Sequence, residues 1–175
     1  MSKKIFCTIP WNHLFVRSDE KFSFCCTTSH YDEQSKNFEE YWNSPDLREI
    51  RVALMKGELP PEKWCSRCIG ERTMKSSFAE RSFDKNRPYI DEFLSKTDEE
   101  GYTSYLPKTI EIRTDLCNFK CRTCSDLHSS SIRAERVKYD MRLVSESKGS
   151  INDLESCGLT DEFLKNLIHV TWSVS

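Results

Sequence analysis

Nine cysteines are the residues of this 175-residue chain whose type and spacing suggest chemistry: Cys7, Cys25, Cys26, Cys65, Cys68, Cys117, Cys121, Cys124 and Cys157. Two clusters leave only two or three residues between neighbouring cysteines, so several thiolates from one loop can converge on one metal centre. An odd count with this clustering predicts metal ligation rather than a disulfide framework, as expected for a reducing compartment.

The segment Cys117-x3-Cys121-x2-Cys124 supplies three thiolates from one short loop. Three facing thiolates can hold three irons of a cubane cluster and leave the fourth iron open to an outside ligand. A structural zinc site is instead closed by four protein ligands. His128 follows Cys124 by four residues, so a zinc site of three cysteines and one histidine is the alternative interpretation.

The N-terminal cysteines are brought together by a predicted hairpin. Strand-like runs at residues 14–16 and 22–24 flank a polar turn, so the chain folds back and can place Cys25 or Cys26 near Cys7. Adjacent residues of a strand face opposite sides. Cys25 and Cys26 therefore cannot both face the same centre.

A predicted helix then carries the chain to the Cys65-x2-Cys68 pair. Ser44 and Pro45 are typical of a helix start, and Gly57 is typical of a helix end. The helical spacing of Leu47, Ile50 and Leu54 places these apolar residues on one face. A C-x2-C pair with two further cysteines also suits a four-cysteine zinc site, so zinc and iron–sulfur both remain open for this half.

The second half predicts a βαβ unit. Residues 109–114 alternate with period two, a helix is expected over about 129–143, Thr160 caps a short helix, and residues 169–174 form a second strand. This order implies a parallel sheet, in which ligand sites lie at the carboxyl ends of the strands. The Cys117 loop follows the first strand directly.

The balance of residue types limits the function classes. Hydrophobic residues make up 37%, charged residues 31%, and the formal net charge is −2. This charge argues against nucleic-acid binding. No apolar run approaches the roughly 20 residues of a membrane span, and the N-terminus has no apolar signal-peptide region. We therefore expect a cytoplasmic protein without a membrane or nucleic-acid partner.

The strand and cysteine loop from Thr109 to Cys124 resemble radical S-adenosylmethionine (SAM) enzymes. The resemblance implies that Cys117, Cys121 and Cys124 bind a 4Fe–4S cluster whose open iron is chelated by SAM. In that family the cluster cleaves SAM to a radical that modifies a substrate. It also implies an electron donor such as a flavodoxin or ferredoxin and a peptide or small-molecule substrate. Thr123 stands where the family usually has an aromatic residue, so no adenine contact is inferred.

The N-terminal part resembles the auxiliary-cluster module called SPASM or, in its shorter form, twitch. The residues that carry the resemblance are Cys7-x-x-Pro-Trp11, Phe24-Cys25-Cys26, Tyr41-Trp42-Asn43-Ser44-Pro45, Leu47-x-x-Ile50-Arg51, Gly57-x-x-Pro60 and Cys65-x2-Cys68. The resemblance implies that Cys7, Cys25, Cys65 and Cys68 hold an auxiliary 4Fe–4S cluster, with Cys26 as the alternative to Cys25.

Together these features predict an α+β or α/β chain with three parts. Residues 1–75 form the cysteine-rich hairpin-plus-helix module, 76–104 a helical linker, and 105–175 the first βαβ portion of an incomplete radical SAM barrel, a partial TIM barrel. Such a barrel needs roughly six βα units, so we expect a truncated enzyme or N-terminal fragment that is inactive alone. No catalytic residue is predicted. The alternative function is a non-catalytic zinc- or cluster-binding module for structure or electron transfer.

Overall fold

The computed structural model of the chain describes residues 7–17, 21–25, 28, 35, 37–65, 86–114, 125–126, 129–143, 155 and 157–174. Its helices are α1 (Ile9–Asn12), α2 (Phe38–Trp42), α3 (Pro45–Lys56), α4 (Ile90–Ser95), α5 (Ser130–Lys138) and α6 (Asp161–Lys165), with a helical turn at 62–65 and a 3-10 turn at Arg87–Tyr89. Its strands are β1 (His13–Val16), β2 (Phe22–Ser23), β3 (Thr109–Thr114) and β4 (His169–Val174). No helix of the described ranges is long and apolar enough to cross a bilayer.

The four strands form one mixed sheet in the order β2-β1-β3-β4. β1 and β2 are antiparallel, which confirms the predicted hairpin, and β3 and β4 are parallel, which confirms the parallel pairing predicted for the βαβ unit. β1 also pairs in parallel with β3, with His13 opposite Thr109. One sheet therefore contains strands from both sides of the predicted boundary near residue 104, and the domain division stays a prediction.

Burial falls from the centre of this sheet toward β4. Leu14, Phe15 and Val16 of β1 are all buried, so both faces of that strand are covered. In β3 the alternate residues Ile110 and Ile112 are buried, whereas Val170 of β4 is 46% exposed. The sheet thus passes from a fully enclosed strand to one that faces solvent.

Helix α3 has the ends that its residue types predict. Pro45 lies in its first turn, and Gly57 ends it in the left-handed conformation with φ +74°. The Gly57 and Glu58 amides donate to carbonyls of the last turn at 3.0 and 2.8 Å. Ser44 occupies the N-cap position, but its hydroxyl makes no capping hydrogen bond, so the start of α3 depends on Pro45 rather than on a side-chain cap.

The segment after residue 86, predicted as part of a helical linker, packs onto the N-terminal helices. The rings of Trp11 and Phe93 stack with centroids 4.9 Å apart. The Trp11 indole donates to the Thr97 hydroxyl at 3.0 Å, and the Trp42 indole donates to the Tyr105 carbonyl at 2.7 Å. These contacts make α4 and the following turn part of the same core as α1 and α2.

The C-terminal helix α6 reaches the same core. The Thr160 hydroxyl accepts from the Phe163 amide at 3.3 Å, which confirms the predicted cap. The Phe163 ring lies 4.6 Å from that of Phe38, and the Phe38 amide donates to the Cys157 carbonyl at 2.8 Å. Cys157 is 3% exposed, so it is a small buried residue of this core.

Candidate metal centre

Cys25 follows β2 and is buried against the core. The Ser23 hydroxyl accepts from the Cys25 amide at 3.2 Å and donates to the Cys25 carbonyl at 2.9 Å. Both backbone polar groups of Cys25 therefore have the same partner, itself buried. This double contact fixes the backbone at Cys25 independently of what its sulfur binds.

Cys7 enters the fold immediately before α1 and is half-buried. Its neighbour Thr8 is fully buried, and the Thr8 hydroxyl accepts from the Asn86 amide group at 3.1 Å. The Thr8 carbonyl accepts from the Trp11 amide at 3.2 Å. The backbone that carries Cys7 is thus anchored both to α1 and to the segment that begins at Asn86.

Cys65 lies in the helical residues 62–65 and is also half-buried. The Trp64 amide donates to the Pro61 carbonyl at 3.0 Å. The Lys63 ammonium lies 3.2 Å from an Asp46 carboxylate oxygen and 5.1 Å from the Trp64 ring centre. Because Lys63 and Asp46 are both about half exposed, their pairing orients the turn more than it stabilises it.

Three of the four predicted auxiliary ligands lie around one core. Cys25 belongs to the buried cluster, and Cys7 and Cys65 pack against it. Phe24 and Trp64, the residues before Cys25 and Cys65, line one small cavity together with Leu47 and Ile50 of α3. Within the described part of the chain, no three His, Cys, Asp or Glu residues form a group that could hold a metal ion. The fold therefore gathers the three segments, and the described residues alone do not form a metal-ligand group.

The donor set fits a thiolate-bound metal centre. Three cysteine sulfurs come from separate segments that share an apolar core, and such an environment suits iron–sulfur clusters and zinc alike. Metal sites built from several segments gain folding energy when the metal joins them. Cys26, Cys68, Cys117, Cys121, Cys124 and His128 lie outside the described residues, so the choice between Cys25 and Cys26 stays a prediction.

The described residues that flank the Cys117 loop include Thr114, which ends β3 three residues before it, and Asp126, two residues after Cys124. The Asp126 side chain is fully buried, and a carboxylate oxygen lies 3.1 Å from Nη1 of Arg136. Arg133 donates to the Asp126 carbonyl from Nε and Nη2 at 3.1 and 2.7 Å. Two arginines of α5 thus hold the chain where the loop joins that helix.

Ser129 joins these contacts as the N-cap of α5. Its hydroxyl accepts from the Ile132 amide at 3.3 Å.

Cys25 and the last residue of β3 lie at opposite ends of the strands in the sheet. β2 runs antiparallel to β1 with Ser23 opposite Phe15, so Cys25 lies toward the amino end of β1. β3 runs parallel to β1 and ends at Thr114, at the carboxyl ends of these two strands. At about 3.3 Å per residue, the length of β3 puts these two ends roughly 17 to 20 Å apart.

Arg51 is buried, although charged residues rarely are. It is 0% exposed, its guanidinium lies 4.7 Å from the Trp42 ring centre, and burial lowers its pKa to about 9. The guanidinium therefore remains a cation at pH 7. The available signal was spacing, since residue 51 falls on the apolar face that Leu47 and Leu54 define.

Comparison with known proteins supports the N-terminal half of this picture. Residues 7–69, just over a third of the chain, match the family model of the SPASM iron–sulfur cluster-binding domain. The matched range contains Cys7, Cys25, Cys26, Cys65 and Cys68, and the SPASM domain implies iron–sulfur cluster binding there. No curated protein and no solved structure matches the chain.

Proposed function

We propose that this chain is a radical SAM protein, or the N-terminal part of one, with two 4Fe–4S clusters. Cys117, Cys121 and Cys124 would hold the SAM-binding cluster, and Cys7, Cys25, Cys65 and Cys68 the auxiliary cluster. When bound, the first cluster supplies the electron that cleaves SAM to a radical, which then modifies a peptide or small-molecule substrate. An electron donor such as a flavodoxin or ferredoxin would reduce it.

The observation that carries this proposal is the parallel pairing of β3 with β4 around the cysteine loop. The loop begins three residues after β3 ends, and α5 begins at Ser130, six residues after Cys124. A ligand loop between a strand and a helix, at the carboxyl end of a parallel strand, is where α/β folds place their sites. The contacts of Arg133 and Arg136 with Asp126 hold the chain beside the loop, and a ligand site of fixed geometry requires such support.

The outer side of this unit supports the further proposal that the chain is inactive alone. Within the described ranges, β4 pairs only with β3, and α5 has no buried residue. Val137 is 63% exposed and Val170 46%. Exposed apolar residues on both β4 and α5 are expected where further strands and helices cover them to complete a barrel.

Binding of SAM by the reconstituted chain tests this function. The chain is reconstituted anaerobically with iron and sulfide, reduced with dithionite, and studied by electron paramagnetic resonance. We expect SAM to change the spectrum of one cluster in the wild-type chain and to have no effect after Cys117→Ala, Cys121→Ala and Cys124→Ala. Cys157→Ala is the matched control, because Cys157 is a buried cysteine that belongs to neither predicted ligand set.

The second candidate function is a non-catalytic zinc or cluster module, which the all-sulfur donor set favours equally. One or two zinc ions per chain without visible absorbance would support it. Clusters whose spectrum ignores SAM would also support it, as an electron-transfer module. Reductive cleavage of SAM by the purified chain alone would contradict the proposed inactivity.

A further inference from the structure

Arg51 is a buried cation whose partners are neutral. Its Nε donates to the Pro10 carbonyl at 3.1 Å, and Nη1 donates to Asn43 Oδ1 at 3.2 Å and to the Gly101 carbonyl at 3.3 Å. Nη2 has no hydrogen-bond partner in the described part of the chain, and no described carboxylate pairs with the guanidinium. A charge removed from water without an opposite charge is costly, so its retention calls for a compensating anion.

The three acceptors of Arg51 come from separate segments. Pro10 belongs to α1 and lies three residues after Cys7, Asn43 lies between α2 and α3, and Gly101 belongs to the turn after α4. Arg51 also follows Ile50, which lines the cavity beside Phe24 and Trp64. The guanidinium therefore ties the Cys7 segment to α3, the helix whose Leu47 and Ile50 line the cavity beside Phe24 and Trp64.

We propose that Arg51 is a positioning residue for the auxiliary cluster, which holds the Cys7 segment against α3 and supplies the buried positive charge opposite the anionic cluster. This inference rests on the proposed function. A 4Fe–4S centre with four thiolates carries net negative charge that increases by one on reduction. A fixed cation beside it favours the reduced form.

Charge and distance give the size of the effect. Three residues of chain span at most about 11 Å, so the guanidinium lies no more than roughly 14 Å from Cys7. At an effective dielectric constant of about 20, a unit charge at that distance changes a one-electron equilibrium about five- to tenfold. For a one-electron couple this ratio corresponds to about 40 to 60 mV.

The experiment uses the full chain with Cys117→Ala, Cys121→Ala and Cys124→Ala, so that only the auxiliary cluster remains. A dithionite titration followed by electron paramagnetic resonance gives its potential. We expect Arg51→Gln to lower the reduced-to-oxidised ratio at a fixed potential five- to tenfold, and Arg51→Lys to lower it less than threefold. Arg48→Gln is the matched control on the same helix, because Arg48 is partly exposed and pairs with Glu100 at 2.6 Å. We expect it to change the ratio less than twofold.

The outcomes separate the two proposals. If the chain with the three cysteine-to-alanine substitutions takes up no iron and sulfide, this result contradicts the proposed function itself. If the cluster binds and its potential is the same with and without Arg51→Gln in that chain, the role of Arg51 is overturned and the proposed function is not. If Arg51→Gln does not fold, Arg51→Lys decides. A folded lysine variant with the cluster and a ratio within threefold supports the charge role, and its failure to fold or to bind the cluster overturns that role.

Discussion

The two predicted cluster regions of this molecule are supported in different ways. Around Cys7, Cys25 and Cys65 the chain forms an aromatic and aliphatic core that α1, α2, α3 and α4 share. Near the Cys117 loop, support comes from the β3–β4 ladder and from polar contacts to Asp126, and α5 has no buried residue. The difference teaches that the predicted auxiliary site rests on the shared core, whereas the predicted SAM site lies beside a helix, α5, that has no buried residue.

Truncation of a core residue should have the largest effect on stability. Leu54 is 0% exposed on α3, and Leu54→Ala is expected to lower the free energy of unfolding by about 2 to 5 kcal/mol through lost burial and a cavity. Val137→Ala, on the exposed face of α5, should change it by less than about 0.5 kcal/mol. Urea unfolding followed by circular dichroism measures both. Equal losses would mean that α5 is buried in solution.

A glycine substitution tests how tightly the turn after α4 is held to α3. Gly101 has φ +83°, and an added Cβ would clash with the Arg48 carbonyl oxygen. Backbone strain and this contact should make Gly101→Ala destabilising by about 2 to 4 kcal/mol.

Gly57→Ala is the matched control for Gly101→Ala. Gly57 has φ +74° with nothing within 4 Å of the added Cβ, so only the cost of the left-handed conformation, about 1 kcal/mol, applies. Thermal unfolding compares the two variants. A similar loss for both would show that the turn separates easily from α3.

Helix caps give the smallest effects and distinguish the regions most finely. Thr160 caps α6, which buries Phe163, so Thr160→Ala should lower the global stability by about 1 kcal/mol. Ser129 caps α5, so Ser129→Ala should leave global stability nearly unchanged and speed amide exchange within α5, because that helix opens locally. Hydrogen-exchange mass spectrometry measures this, and a global loss in Ser129→Ala would contradict it.

Much of the local structure is predictable from the sequence. The hairpin, the ends of α3 at Pro45 and Gly57, and the parallel β3–β4 pair follow from turn residues, capping residues and period-two alternation. The pairing of β1 with β3 does not, because it joins His13 to Thr109 across 96 residues and leaves no local signal.

The burial of Arg51 is equally hidden from local patterns. Its acceptors Pro10, Asn43 and Gly101 lie in three segments that only the fold brings together. The cysteine spacing predicts ligand chemistry, but thiolates alone do not distinguish zinc from iron–sulfur. The match of residues 7–69 to an iron–sulfur domain supplies that distinction for the N-terminal half.

The metal and sulfide content of two half-site variants tests the central claim most directly. One variant carries Cys117→Ala, Cys121→Ala and Cys124→Ala, and the other carries Cys25→Ala, Cys65→Ala and Cys68→Ala. After anaerobic reconstitution we expect roughly eight irons and eight sulfides in the wild-type chain and roughly four of each in either variant. Zinc without sulfide in the wild-type chain, or loss of all iron from either variant, would contradict two independent iron–sulfur sites.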